Sequence, residues 1–309
     1  MKKRIVISVG GNALSNNPQV DAKLLKPVAQ LIVKLWKQKY RILLTTGNGP
    51  QCGELYDTFT DANQYNKKHQ QLPLDEVNAI SQSYIGYHVF KAIYTEGVRQ
   101  GITLPVNVFQ TYTLVNENDV AWKNPTKPIG NFFPTLAAAQ NAYPHDKIIS
   151  DANRGYRKVV ASPLPQNFVG LAGIKYAFAK HQIAVAAIGG GVPCVIKQHA
   201  VIGKEGVIDK DYSTSKLAQL LNVDRLVILT AVPGIYLNYG KPNAKLIGRI
   251  TIAELAELIK TNDFGKGSML PKINAAIAFV KATNKIAIIT DLKNAEKGIN
   301  LLKGTIITP

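Results

Sequence analysis

Three lysines and three glycine clusters are the residues of this chain whose types and settings suit chemistry. Lys127 stands in "NPTKPIG", between prolines that restrict the backbone and can aim an ammonium group. Lys210 follows Asp209 in "VIDKD", at the predicted start of a helix. Lys272 sits in "SMLPK", early in another helix and just after a Gly-Lys-Gly turn. The glycine clusters are "SVGG" at 8–11, "TTGNG" at 45–49 and "IGGG" at 188–191, with Gly190 inside the third. Glycine lets backbone amides approach an oxyanion, and a helix that follows such a turn adds its positive N-terminal end. Neither the Gly-Lys-Ser/Thr ending of the common phosphate loop nor the third glycine of the dinucleotide fingerprint is present. Any positive charge at these turns therefore comes from distant segments. That inventory suits phosphoryl transfer, where charge spreads over the oxygens of the moving group and the protein supplies positioning and electrostatic stabilisation. A carboxylate such as Asp209 can hold two of the lysines in place. Taken singly, each lysine reads as a solvated side chain and each glycine as a tight turn; their combination is what points to a site.

Such a site needs strands that deliver all three turns to one edge of a sheet. Apolar runs at 5–9, 41–46, 183–188, 225–230 and 285–290 alternate with helical patterns, which predicts a parallel sheet covered by helices, with its ligand crevice beyond the carboxyl ends of the strands. Leu24, Val28, Leu31, Ile32 and Leu35 recur at helical spacing. The stretch 74–94 reads as a long helix with Val77, Ile80, Tyr84, Tyr87 and Ile93 near one face, and 101–115 reads as extended. Helices are expected at 212–221, 251–260 and 268–283, a hairpin around 236–245, and a helix and strand at the end. Between about 116 and 165 the rhythm fails, and prolines, asparagines and glycines crowd the chain. An excursion of that length predicts a protruding subdomain, or lid, inserted within one domain spanning 1–309.

Composition narrows the field. The chain has 309 residues, 46% of them hydrophobic, a length at which a single core reaches its upper size. Its net charge of +17 raises the possibility of nucleic acid. Arginine stands only at 4, 41, 99, 154, 157, 225 and 249, so most of the 37 basic residues are lysines, and they are scattered. Base readout favours arginine, and no nucleic-acid motif is present, so solvated lysines or acidic small substrates account for the charge. Apolar segments are too short for a membrane span, and no signal-peptide pattern is present, which predicts a cytoplasmic protein. Cys52 and Cys194 have no metal-ligand spacing, and the five histidines show none either.

Read together and in order, "VGGNAL", "GNGPQ", "NPTKPIG", "RGYRKVVASP", "GGGVPC", "VIDKD", "LVILT" and "GSMLPK" resemble the carbamate kinases of the amino-acid kinase family over about residues 3–308. The resemblance implies a three-layer α/β/α sandwich around a largely parallel sheet, a protruding lid subdomain and a homodimer. It implies reversible phosphoryl transfer between ATP and carbamate, with magnesium held by the nucleotide phosphates rather than by a protein metal site. In the degradative direction, carbamoyl phosphate and ADP give carbamate and ATP, the end of the arginine deiminase route. By motif, Gly10, Gly11 and Asn12 would contact the transferred group, and Gly47, Asn48 and Gly49 would hold the carbamoyl end. Lys127 would reach in from the subdomain. Lys210 and Lys272 would neutralise the transition state and the nucleotide phosphates, with Asp209 orienting ammonium groups; all three lysines are expected at largely surface-accessible positions. Thr230, Tyr236, Gly267, Ser268 and Met269 would accommodate the nucleotide.

The chain departs from the family pattern at several points. Thr46 stands where histidine is common, Leu164 where lysine is frequent in "SPxP", and Leu270 in place of the glycine of "SMGPK". Ala231, Pro233 and Gly234 occupy a region that often carries charge. The alternatives are a kinase of another small carboxylate or of a nucleoside monophosphate, and a catalytically silent nucleotide-binding protein.

Overall fold

A computed structural model describes residues 3–10, 18–151, 154–265 and 269–309. Among them, an eight-stranded sheet forms the centre, in the spatial order 249–251, 305–308, 286–291, 225–230, 4–9, 41–46, 183–185 and 106–108. Every neighbouring pair is parallel except 286–291 with 305–308. The strands are apolar on both faces because both are covered, and alternation decides which residue meets which layer. Ile5, Ile7 and Val9 point to one side, where they pack with Leu25, Val28 and Ile32 of the helix Pro18–Lys37, with Ile85, Val89 and Ile93 of the helix Leu74–Arg99, and with Ala295 and Ile299. Val6, Leu43, Leu226 and Ile228 point the other way. They meet Leu217 of the helix Lys210–Leu220, Leu255 of Ile252–Thr261, and Ile273 and Phe279 of Leu270–Thr283. The expected α/β/α layering is thus present, with two cores separated by one mostly parallel sheet.

Two departures from the sequence reading have physical reasons. On the helix Leu74–Arg99 the buried stripe runs through Val77, Ser81, Ile85, Val89 and Ile93, whereas Ile80, Tyr84 and Tyr87 are exposed. Small and polar residues, Asn78, Ser81, Gln82 and Gly86, occupy the inner face, so hydropathy alone puts the helix in the wrong rotation. The stretch 101–115 is not one extended piece. Val106–Val108 ends the main sheet, and Tyr112–Val115 joins a second, four-stranded sheet with Pro165–Val169, Val192–Lys197 and Ala200–Gly203. The break between them is held by Gln82, whose side chain accepts from the amide of Thr111 and donates to its carbonyl.

Within 116–165, the strands Lys127–Phe133, Ile148–Ser150 and Tyr156–Val160 form a separate three-stranded antiparallel sheet with the short helix Leu136–Ala142 beside it. This small sheet rests on the helix Gly49–Tyr65.

Candidate active site

Alternation along the first strand sets the floor of the site. Ser8 shares a face with Val6, so it lies under the helix Lys210–Leu220 with no exposure to solvent. Asp209 is the N-cap of that helix, and its side chain accepts from the Asp211 amide at 2.9 Å. The cap holds Lys210 and Asp211 in the first helical turn at the sheet's carboxyl edge. Lys210 Nζ donates to Ser8 Oγ at 2.8 Å and meets Asp211 Oδ1 at 2.7 Å. Lys272, from the helix Leu270–Thr283, reaches Asp211 Oδ2 at 3.2 Å. One carboxylate therefore bridges two ammonium groups. Burial alone raises the Asp211 pKa, but the charges of Lys210 and Lys272 outweigh it and hold the carboxyl below its usual range. Lys127, at the start of the small sheet, pairs with Asp209 Oδ2 at 2.6 Å.

The sequence expectation that Asp209 could hold two lysines is corrected by this geometry. Asp209 holds Lys127, and Asp211, which sequence reasoning missed, holds the other two. The expectation that Lys210 and Lys272 are largely surface-accessible is corrected as well: their side chains are only 12% and 14% exposed, against 36% for Lys127.

The glycine turns converge, though not all in the expected form. Gly189, Gly190 and Gly191 have φ of 62°, 90° and 88°, and a Cβ on Gly189 would overlap the side chain of Asn48. The second and third turns are thus in contact. The Gly190 carbonyl accepts from Ser213 Oγ at 2.6 Å and Thr113 Oγ1 at 2.7 Å, which ties the third turn to the helix of Lys210. That turn leads into the strand Val192–Lys197, so no helix dipole adds to it, contrary to expectation. The second turn does lead into a helix. Gly49 begins Gly49–Tyr65, whose N-terminus has no side-chain cap. Asn48 instead donates from its amide to Asn78 Oδ1 at 2.9 Å and Ser81 Oγ at 2.7 Å, which fixes the turn from behind.

Beside the lysines opens a cavity of about 740 Å³. Gly10, Lys210 and Lys272 lie along it, as do Thr230, Tyr236 and Met269 from the sequence reading. Tyr239 and Phe264 also line it and were not anticipated. Gly11, Asn12, Gly267 and Ser268 lie outside the described residues. Leu270 packs against the core cluster and Leu164 is exposed, while Thr46 is buried with no hydrogen-bond partner for its hydroxyl among the described residues.

A lysine cluster organised by buried carboxylates, glycine turns at the ends of parallel strands and an adjoining cavity are the parts that phosphoryl transfer uses. Comparison with known proteins agrees. The model described as the amino acid kinase family matches residues 3–291. The chain is 43% identical to a carbamate kinase-like protein of Mycoplasma pneumoniae over 94% of each chain. It is 41% identical to carbamate kinase 1 of Enterococcus faecium over the full length of both. The solved structure of carbamate kinase from Giardia lamblia bound to AMP-PNP superposes with a TM-score of 0.90 at 36% identity, covering 99% of this chain and 98% of that one. The chain belongs to the amino acid kinase family.

Proposed function

We propose that the protein is a carbamate kinase, transferring a phosphoryl group reversibly between ATP and carbamate. The observation that carries the reading is the Lys210–Asp211–Lys272 bridge beside the cavity, with Lys127–Asp209 facing it. In the ATP-forming direction, a β-phosphate oxygen of ADP attacks the phosphorus of carbamoyl phosphate. The bond to the carbamate oxygen breaks, and carbamate leaves. No protein nucleophile is required, so the lysines act by holding both ends of the reaction and stabilising the charge in flight. Thr230, Tyr236 and Met269 hold the nucleotide in the cavity, and Gly10 carries the phosphoryl group toward the second and third turns. Gly47, Asn48, Gly49 and Gly190 receive the carbamoyl end.

Magnesium enters with the nucleotide. Asp209 and Asp211 are both engaged by lysines, and no cluster of three or more potential ligand side chains occurs among the described residues. The ion would be held by the nucleotide phosphates, where it neutralises their charge. We place the reaction in the cytoplasm, in the direction of ATP synthesis at the end of arginine deimination, carried out by a homodimer. No described helix is long and apolar enough to cross a membrane. Support for the dimer is the exposed aromatic face of Tyr84, Tyr87 and Phe90.

The test is ATP formation from carbamoyl phosphate, ADP and magnesium, with Lys127→Ala as the control because that side chain is the most exposed of the three. ATP from the wild type alone supports the assignment. A folded wild type that binds nucleotide and forms no ATP sinks it in favour of another acceptor or a silent binder.

A further inference from the structure

The interface between the small sheet and the helix Gly49–Tyr65 contains a buried polar cluster that the proposed chemistry does not use. Lys158, on the strand Tyr156–Val160, is 6% exposed. Its ammonium lies 4.8 Å from the ring centroids of both Tyr56 and Tyr143, 3.2 Å from Tyr56 Oη and 3.0 Å from Asp146 Oδ2. Tyr143 in turn donates to Asp57 Oδ1 at 2.8 Å. Tyr56 and Asp57 belong to the helix, whereas Lys158, Tyr143 and Asp146 belong to the small sheet and its connections. The backbones also approach closely here: a Cβ on Gly53 would stand 3.0 Å from the Gly130 amide nitrogen, and a Cβ on Gly130 2.9 Å from Asp57 Oδ1.

Burying a charge is costly, and apolar side chains of the same volume would hold two surfaces together at least as well. What a cation between two aromatic faces and a paired hydroxyl add is direction, since each contact is satisfied in only one arrangement. The consequence reaches the site along both elements. Lys158 pairs with Ile129, and two residues further along the same ladder Val160 pairs with Lys127. The helix that supplies Tyr56 and Asp57 begins at Gly49, in the second glycine turn.

We propose that Lys158, clasped by Tyr56 and Tyr143 with Asp57 securing Tyr143, is a positioning residue that sets the small sheet on the helix Gly49–Tyr65 so that Lys127 reaches Asp209. The proposal rests on the phosphoryl-transfer reading for its effect on rate, but the positioning itself is measurable without turnover. Two variants of the full chain test it. Lys158→Met keeps the volume and removes the cation; Tyr143→Phe keeps the ring and removes the bond to Asp57. Each should lower kcat by about tenfold or more, as expected for a misplaced catalytic group, with KM for ADP within about twofold, because the cavity is built by other elements. Amide hydrogen exchange over 127–133 should quicken, while exchange over the core strand 225–230 stays unchanged. Should Lys158→Met fail to fold, Tyr143→Phe decides. Wild-type kcat together with wild-type exchange over 127–133 overturns the proposal. If the wild type itself forms no ATP from carbamoyl phosphate, the reaction is wrong, and the exchange measurement alone judges the clasp.

Discussion

Lys272 meets the carboxylate of Asp211 at 3.2 Å across 61 positions of sequence, and Lys210 occupies the other oxygen of the same group at 2.7 Å. Two like charges are thereby held close together by one anion that is 3% exposed. Replacing Asp211 by Asn should be worse than removing either lysine, because two ammonium groups would then lose the one carboxylate that bridges them. Breaking a buried pair from one side costs about 3–5 kcal/mol. Asp211→Asn should therefore lose stability of that order in urea unfolding and lose turnover by about a hundredfold or more. An unfolding midpoint equal to wild type would show that the bridge is not organised as described.

Lys127 behaves differently because its partner Asp209 lies at a helix N-cap and its own side chain is partly solvated. Lys127→Ala should cost less stability than Asp211→Asn, since Lys127 is 36% exposed and Asp209 keeps its bond from the Asp211 amide, and should depress kcat by about a hundredfold. Lys210→Ala and Lys272→Ala should lower both quantities. A Lys127→Ala enzyme with normal kcat would remove that lysine from the reaction.

Much of this arrangement is legible in the sequence. The strands 4–9, 41–46 and 225–230 announce themselves as apolar runs because both faces are buried, and Lys127, Lys210 and Lys272 stand out through their prolines, N-cap and glycine turn. The partner choice was not legible. "VIDKD" offers two carboxylates two positions apart, and only the helix geometry makes Asp209 a cap and Asp211 the buried bridge. Ser8 carried a faint signal, since strand alternation puts it on the face of Val6. The helix Gly49–Tyr65 carried almost none: its buried positions are Gln51, Cys52, Gly53 and Asp57, chosen for contact with the small sheet rather than for an apolar stripe. Cys52 belongs to this packing.

The cysteines should be inert in the native state. Burial pushes the thiol of Cys52 up to about 11 against a smaller opposing effect of the Ser81 hydrogen bond, and burial does the same for Cys194. Thiolate is then scarce at neutral pH. A thiol reagent should label both only in denaturant; prompt labelling of native protein would contradict the burial.

Acid stability should follow the paired aspartates. Burial raises Asp224, but its bonds to the Arg4 side chain and amide outweigh that and lower it; Asp151 is lowered in the same way by Arg157 and Arg154. A carboxyl with a folded pKa below the unfolded value, about 3.9, contributes its full stabilisation above that value and loses it as pH falls through the folded pKa. The melting temperature should thus be insensitive to these groups between pH 7 and about 5 and decline below about 4. Asp224→Asn should shallow the decline without touching the site. An identical pH profile for the variant would mean that the Arg4 pair does not shift the carboxyl.

Gly190 offers the sharpest test of the convergent turns. Its φ of 90° is strained for any side chain, and an added Cβ would stand 2.5 Å from the carbonyl oxygen of Ile208, the residue before Asp209. Strained backbone of this kind costs about 1–3 kcal/mol, and relief of the contact must displace the chain that leads into Asp209 and Lys210. Gly240 supplies the control, with φ of 81° and no atom within 4 Å of its virtual Cβ. Gly190→Ala should lose stability and most of its turnover, whereas Gly240→Ala should lose only the stability that its backbone strain costs and keep its kcat. Equal kcat in the two variants would separate the third glycine turn from the lysine cluster.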